Sequence, residues 1–394
     1  MVTSKGYLLT FTIALLAMLA PFSIDTYLPS FTAIGETFQI SQEALQQSIS
    51  LYLVGFAAST LIYGSLSDSF GRRRIIIAAL LFYIVSSIGC FLAQDYNTFL
   101  LMRIGQGLSA SGGMIIGRAV IRDRFEGAQA RQAMSYVMLL FSLAPALAPM
   151  IGGLLQEWQG WRSVFLFLTI LGGITTLYTL RYLPETLAEE DRQPFRPLTL
   201  LTRSLDTLRH RQFLSIILTI SFAFAGFFIY IVGAPTVIFN HLSLGSGDFW
   251  ILFVPMVVGM MLGSFASGRL AHRLSSHTTI TIAFALLIAA SLFNLLQAHL
   301  LNPTPWSIIG PMVIYTFGMA LMLPNLSIMS LDCFPQHRGL AASMQGFVQT
   351  LGGAITAGFI VPLISKSNLL FAIAQSLLLI IAILIWWSVR RQQT

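Results

Sequence analysis

The chain has 394 residues, of which 56% are hydrophobic and only 9% charged, and it contains 30 phenylalanines. An ordinary water-soluble domain carries about 25% charge, so this composition excludes a soluble enzyme and points to an integral membrane protein with no room for a separate catalytic domain. The formal net charge is +7, but the arginines stand at the ends of apolar runs and form no basic groove interleaved with exposed aromatics, which excludes a nucleic-acid partner.

Twelve apolar runs can be placed, at 7–30, 46–67, 74–93, 97–120, 133–155, 162–183, 212–235, 248–270, 278–299, 305–330, 339–364 and 368–389. Each is long enough to cross a bilayer as a helix. The first follows Lys5 and lacks a clean small-residue cleavage site, so it reads as an uncleaved spanning helix rather than a signal peptide. Its outer half reads Pro21-Phe22-Ser23-Ile24-Asp25-Thr26-Tyr27-Leu28-Pro29. A carboxylate on a spanning helix costs about 3 kcal/mol and usually faces a cavity or a partner. The flanking prolines allow a broken helix there. Asp25 is therefore a candidate proton carrier; the alternative is a carboxylate simply solvated near the outer interface.

Between the second and third runs lies Gly64-Ser65-Leu66-Ser67-Asp68-Ser69-Phe70-Gly71-Arg72-Arg73-Arg74, a tight polar turn. Asp68 can pair with the guanidinium groups or cap the next helix. The pattern G-x-L-x-D-x-x-G-R-R-R resembles the signature of the major facilitator superfamily at this loop. A degraded copy begins at Gly263, 199 residues later and half a chain away, with Ser267 in place of Asp68. Gly152-Gly153 and Gly352-Gly353 recur at an offset of 200. The chain reads as a duplicated six-helix half, an arrangement known for such transporters.

In the fourth run, Arg103-Ile104-Gly105-Gln106-Gly107-Leu108-Ser109-Ala110 resembles the superfamily motif R-x-x-Q-G-x-x-A. A fixed cation there can tune a nearby carboxylate, bind an anionic substrate group, or hydrogen-bond carbonyls of a neighbouring helix in a structural role. Gln106 follows one turn later on the same face. The glycines mimic a dinucleotide fingerprint, but no strand precedes them. At the end of this run Arg118, Arg122, Asp123 and Glu126 are candidates, with Asp68 and Arg72 and with Asp332 and Arg338, for ion pairs that close the inner face or are merely solvated. The fifth run contains Ala144-Pro145-Ala146-Leu147-Ala148-Pro149-Met150-Ile151-Gly152-Gly153, which resembles the antiporter motif of superfamily exporters. Its small residues and prolines suit either a hinge against the second half or close helix packing.

Residues 184–211 form the longest polar stretch and read as the linker between a half at 1–183 and a half at 212–394. The placement of Lys and Arg sets the orientation. With the amino terminus inside, nineteen fall on the cytoplasmic side, among them Lys5, Arg390 and Arg391, and two, Arg162 and Lys366, outside. Both termini are then cytoplasmic. In the second half Phe222, Phe224, Phe227, Phe228 and Tyr230 crowd the seventh helix. Asn325, Gln345 and Gln349 need polar partners within the membrane, either a cavity or neighbouring helices. The six histidines, His272 among them, have no metal-like spacing, Cys90 and Cys333 flank no ligand cluster, and no G-x-S-x-G, H-E-x-x-H or P-loop occurs, so neither an enzyme nor a cofactor or metal is expected.

Taken with Gly160-Trp161-Arg162, Leu183-Pro184-Glu185-Thr186-Leu187, Pro324-Asn325 and Gly339-Leu340-Ala341-Ala342-Ser343, these segments resemble the Bcr/CflA group of drug:proton antiporters over nearly the whole chain. The resemblance implies an all-α fold of twelve transmembrane helices in two six-helix halves around a central cavity, a monomer in the bacterial inner membrane, and export of small, often hydrophobic compounds in exchange for protons. It matches Asp25 and Arg103 to the proton-coupling positions. Candidate substrate contacts are Tyr27, Gln106, Phe141, Phe224, Phe228, Asn325, Gln345 and Gln349. Candidate gating and structural residues are Gly64, Asp68, Gly71, Arg72, Arg73, Arg118, Asp123, Pro145, Pro149, Gly152 and Gly153. A proton symporter, an exporter of one metabolite such as a siderophore or an amino acid, and a non-transporting receptor or scaffold are the other readings.

Overall fold

The computed structural model describes residues 4–271 and 273–391. His272 and the side chains of Lys5, Arg390 and Arg391, used in the readings above, lie outside the described residues. Twelve helical spans are long and apolar enough to cross a membrane among the described residues. They are built on α1 (Ser4–Asp25), α2 (Gln42–Phe70), α3 (Arg72–Leu92), α4 (Tyr96–Arg124), α5 (Gly127–Gln159) and α6 (Arg162–Tyr182), followed by α7 (Arg211–Val232), α8 (Trp250–Leu270), α9 (Ser276–Leu300), α10 (Pro305–Asp332), α11 (Arg338–Ile355) and α12 (Asn368–Arg391).

Local chemistry sets several helix starts. Asp95 takes the Thr98 N–H at 2.9 Å and the Thr98 hydroxyl at 2.7 Å, capping α4. These hydrogen bonds hold its carboxyl below the usual carboxylate range. Ser275 caps α9 through the Thr278 N–H, and Thr304 with Ser307 forms a reciprocal cap on α10, where Pro305 occupies the first turn at no cost. The first apolar run differs from its expected single helix over 7–30. Helix α1 stops at Asp25, a 3₁₀ turn covers Leu28–Ser30, and a short helix, Phe31–Phe38, completes the span. Pro29 has no N–H to continue the ladder and disfavours helical geometry in the residue before it.

The chain forms two compact units, one of Met1–Ile40 with Leu51–Leu200 and the other of Ser41–Ser50 with Leu201–Thr394. The division falls within the 184–211 stretch, which carries a helix of its own, Pro197–Arg209. The ten residues 41–50 fall in the second unit rather than the first. There Gln46, Gln47 and Ser50 donate to the carbonyls of Val232, Gly358 and Ala354. Gly358 lies in a π-helical turn, Thr356–Ile360, whose wider ladder leaves carbonyls free for such donors. Inside the first unit α1 packs on α4 and α5, and α3 on α4 and α6. Inside the second the same neighbours recur six helices later, α7 on α10 and α11, and α9 on α10 and α12. The repeat read from glycine spacing is thus also a repeat of helix pairings. Large apolar side chains such as Leu177 and Leu384 face outward, as hydrocarbon rather than water requires.

Candidate functional site

The break in the first span is the centre of a polar cluster inside the first unit. Asp25 is the last residue of α1 and only 5% exposed. No hydrogen bond or ion pair among the described residues engages its carboxyl. The reading of Asp25 as a solvated interfacial residue therefore does not hold. Helix α5 reaches this break through Gly152, where a Cβ would overlap the Thr26 carbonyl oxygen, so glycine alone permits the approach. At Gly152 the motif serves as close packing on the α1 break within its own unit. Pro145 and Pro149 sit inside a continuous α5, and Gly153 is buried.

Arg103, on α4, is completely buried. Its Nη1 donates to the Ser23 carbonyl at 3.0 Å and to Gln106 Oε1 at 2.7 Å. The guanidinium lies over the ring of Tyr27 at 4.3 Å and that of Tyr52 at 4.6 Å, contacts that suit a planar, weakly hydrated cation. Its Nε and Nη2 are buried without a hydrogen-bond partner, and no carboxylate among the described residues pairs with it. Gln106 is held in turn by its own Nε2–H to the Ser87 hydroxyl at 2.8 Å, while the hydroxyls of Ser23 and Tyr83 share a 2.6 Å hydrogen bond. A buried cation with two unspent donors and a buried carboxyl with no partner thus sit on adjacent, packed helices. Tyr27 and Gln106, expected among the substrate contacts, are instead fully buried partners of Arg103.

A second cluster forms at the α2–α3 turn. Gly71 takes φ +97°, a conformation other residues rarely adopt. Arg72 pairs with Asp68 one turn back and with Asp123 at 3.3 Å, and also donates to the Ser67 hydroxyl at 2.7 Å. Glu185, from the segment after α6, accepts the backbone N–H groups of Arg72 at 2.9 Å and Arg73 at 3.2 Å. A carboxylate at the first N–H groups of α3 satisfies donors the helix leaves open and complements its dipole. Arg73 donates to the Leu180 carbonyl, and Thr186 to Asp123. Arg118 is not brought into this cluster, and a Cβ on Gly64 would meet open space, so neither expected role is supported. In the second unit Ser267 donates to the Leu321 carbonyl, and Arg269 lies over Phe265; the degraded copy has no acid to pair with.

Comparison with known proteins bears on this arrangement. Residues 13–357 match the family model described as Major Facilitator Superfamily. The chain belongs to that superfamily. An uncharacterised transporter of this superfamily from Bacillus subtilis, YdgK, is 31% identical over 353 residues, 89% of this chain and 87% of the relative. A bicyclomycin resistance protein homolog of Haemophilus influenzae is 27% identical over 355 residues, 90% of this chain and 89% of the relative. Among solved structures, a bacterial homolog of the human lysosomal transporter Spinster superimposes with a TM-score of 0.72 at 16% identity, covering 98% of this chain and 97% of its own. The likeness to Bcr/CflA proteins read from the motifs agrees with the bicyclomycin relative. This is a multi-pass membrane transporter, not an enzyme.

As a superfamily transporter it carries further polar groups that sequence reasoning handled less well. Phe224 stacks on Phe228 at 5.3 Å between ring centres. Gln345 bridges α11 to α10, donating to Ser327 and accepting from Ser330, both at 2.8 Å, which makes it an internal strut rather than a free substrate contact. Asn325 donates to Leu321 in its own helix. Gln349 is half-buried and has no partner among the described residues, and Phe141 is half-buried on α5. The expected pair of Asp332 with Arg338 forms at 2.8 Å but is exposed, while Glu126 joins no ion pair. Unforeseen were Tyr52, Tyr83, Ser87 and Glu185. Each is an ordinary polar residue within or just after an apolar run, and only the fold brings it to Arg103 or to α3. Asn294, Tyr230 and Gln375 form a further buried network, with Asn294 Nδ2 donating at 2.7 Å to both.

Proposed function

We propose that this transporter is a proton-coupled exporter of small amphiphilic compounds, working by alternating access as a monomer in the bacterial inner membrane with both termini cytoplasmic. The observation that carries the reading is the buried Asp25 at the break of α1, with no hydrogen-bond or ion-pair partner among the described residues, on a helix packed against that of Arg103, which keeps two unspent N–H donors. A carboxyl with no fixed partner can exchange its proton with a water path. Tyr52 stands against the Arg103 guanidinium at 4.6 Å.

In this scheme substrate binding and protonation of Asp25 disfavour each other. Substrate leaves outside, Asp25 takes a proton from the more acidic side, and the protonated carrier resets. One proton moving through 100 mV supplies about 2.3 kcal/mol, which sustains about a 50-fold concentration ratio at about 1.4 kcal/mol per decade. Phe141, Phe224 and Gln349 are the substrate contacts we assign, since the two rings are half-buried and the amide has no partner among the described residues; Phe228 is buried and backs the ring of Phe224. They suit neutral or anionic amphiphiles with aromatic character, and the bicyclomycin resistance homolog supports a drug-like class. Arg72, with Asp68, Asp123 and the Glu185 cap, is the lock that sets the α2–α3 turn during the cycle.

Proteoliposomes with an imposed pH gradient test the direction. A fluorescent or radiolabelled substrate found by growth-inhibition panels in a pump-deficient host should move against the proton flow. Movement with the protons would make the protein a symporter, and absence of any coupled flux would leave a receptor or scaffold.

A further inference from the structure

The linker between α6 and α7 contains the helix Pro197–Arg209, whose 13 residues are too short to cross a bilayer. Leu200 and Leu208 are half-buried, but its fully covered residues are polar. The residues the protein covers are Ser204 and Thr207, whereas Leu198, Leu201 and Leu205 are 78%, 55% and 49% exposed. At 3.6 residues per turn these three leucines fall within an arc of about 60°, so they make one apolar stripe rather than scattered exposure. A stripe of that kind facing water is a liability that soluble surfaces avoid.

Two further observations say what faces it. The helix ends one residue before α7 begins, with only His210 between Arg209 and Arg211. The stripe is therefore tethered at the boundary where a spanning helix enters the bilayer. Around it stand Arg196, Arg203, Arg209 and Arg211, against the single acid Asp206. Asp206 pairs only with Arg209, at 3.0 Å, with both side chains largely exposed. Arg196, Arg203 and Arg211 are exposed and enter no ion pair among the described residues. An apolar stripe on one face, with the unpaired Arg203 on the opposite face and Arg196 and Arg211 at the two ends, is at a membrane boundary the chemistry of a helix lying in the headgroup layer of an anionic leaflet.

We infer that Pro197–Arg209 is an interfacial helix that seats Leu198, Leu201 and Leu205 among lipid acyl chains and binds anionic phospholipid headgroups through Arg196, Arg203 and Arg211. It anchors the linker to the leaflet, so the movement of α6 and α7 senses lipid charge. This holds whether or not Asp25 carries protons.

The test uses the full-length protein with Cys333→Ala, the buried Cys90 being shielded from label. Spin labels are placed by Leu198→Cys, Leu201→Cys, Leu205→Cys and Asp206→Cys, one at a time. The protein is reconstituted in phosphatidylethanolamine vesicles with and without phosphatidylglycerol, and each label's relaxation is measured against oxygen and a water-soluble nickel chelate. Expected are oxygen-dominated collisions at the three leucine positions and nickel-dominated collisions at 206. Adding phosphatidylglycerol should shift the leucine positions deeper, and Arg196→Gln with Arg203→Gln should abolish that shift. Nickel-accessible leucine positions would place the stripe in water, and labels shielded from both reagents would mean that protein, its own or a second copy, covers it. Either result overturns the inference. Insertion insensitive to phosphatidylglycerol overturns its anionic-lipid part.

Discussion

Replacing Arg103 by lysine keeps the charge and removes the geometry. The guanidinium donates to Ser23 and Gln106 from one nitrogen and lies over two tyrosine rings. The shorter, compact ammonium keeps one of those hydrogen bonds and loses the planar contact to the two rings. A hydrogen bond to a charged group is worth about 1.5–3 kcal/mol, and a desolvated cation–ring contact up to about 2 kcal/mol. Because the ammonium retains part of the ring attraction, we expect Arg103→Lys to lower stability by about 3 kcal/mol. Thermal unfolding of the purified protein in detergent checks this, with Arg103→Met alongside. Methionine removes the buried cation and its desolvation cost, so the Met variant should be the more stable of the two although it transports nothing. Gradient-driven transport by Arg103→Lys should fall about 100-fold, the rate equivalent of a misplacement of that energy. A lysine variant as stable and as active as wild type would refute the reasoning, because charge alone would then suffice.

Three other outcomes follow from the same geometry. Gly152→Ala should destabilise the protein by about 1–3 kcal/mol, because the added methyl meets the Thr26 carbonyl; thermal unfolding reads it, and transport should fall with it since the α1 break beside Asp25 must shift. Asp123→Asn should cost about 1 kcal/mol, because the pair with Arg72 is partly exposed and Asp68 remains; adding Thr186→Val should cost less than on its own, since the Thr186 hydroxyl loses its charged acceptor. His241 is half-buried, and burial pushes its imidazole below the ordinary value despite the opposing hydrogen bond to the Ser365 carbonyl. The unfolded chain then takes up the proton more readily, so this contribution to stability is complete above about pH 6.5 and is lost as pH falls from there through the folded value. Unfolding scans should show His241→Gln losing less stability than wild type over that acidic range.

The twelve spans were legible because hydrocarbon demands long, uncharged runs, and nothing else in the chain competes with that signal. The α2–α3 turn was equally legible, since Gly71 and the arginines leave few alternatives. Asp25 and Arg103 stood out because a charge in an apolar run is costly enough to need a reason. What could not be read was which neutral groups meet them. Tyr27 and Gln106 carry chemistry that suits a ligand, and only the packing of α1 on α4 shows that Arg103 already uses them. Gln345 likewise resembles a cavity residue until α10 supplies Ser327 and Ser330. Gly152 announced close packing, but the partner, Thr26, lies over a hundred residues away. Glu185 is one acid among several in a polar stretch, and its role depends on the first N–H groups of α3 facing it.

The central claim is that Asp25 is the proton carrier, and Asp25→Asn in proteoliposomes tests it most directly. The amide has nearly the shape of a protonated carboxyl, and Asp25 has no fixed partner to lose, so folding and substrate binding should be preserved. With an imposed pH gradient, substrate accumulation should disappear while binding, followed by equilibrium dialysis, remains at the wild-type level. Full gradient-driven accumulation by Asp25→Asn would contradict the account.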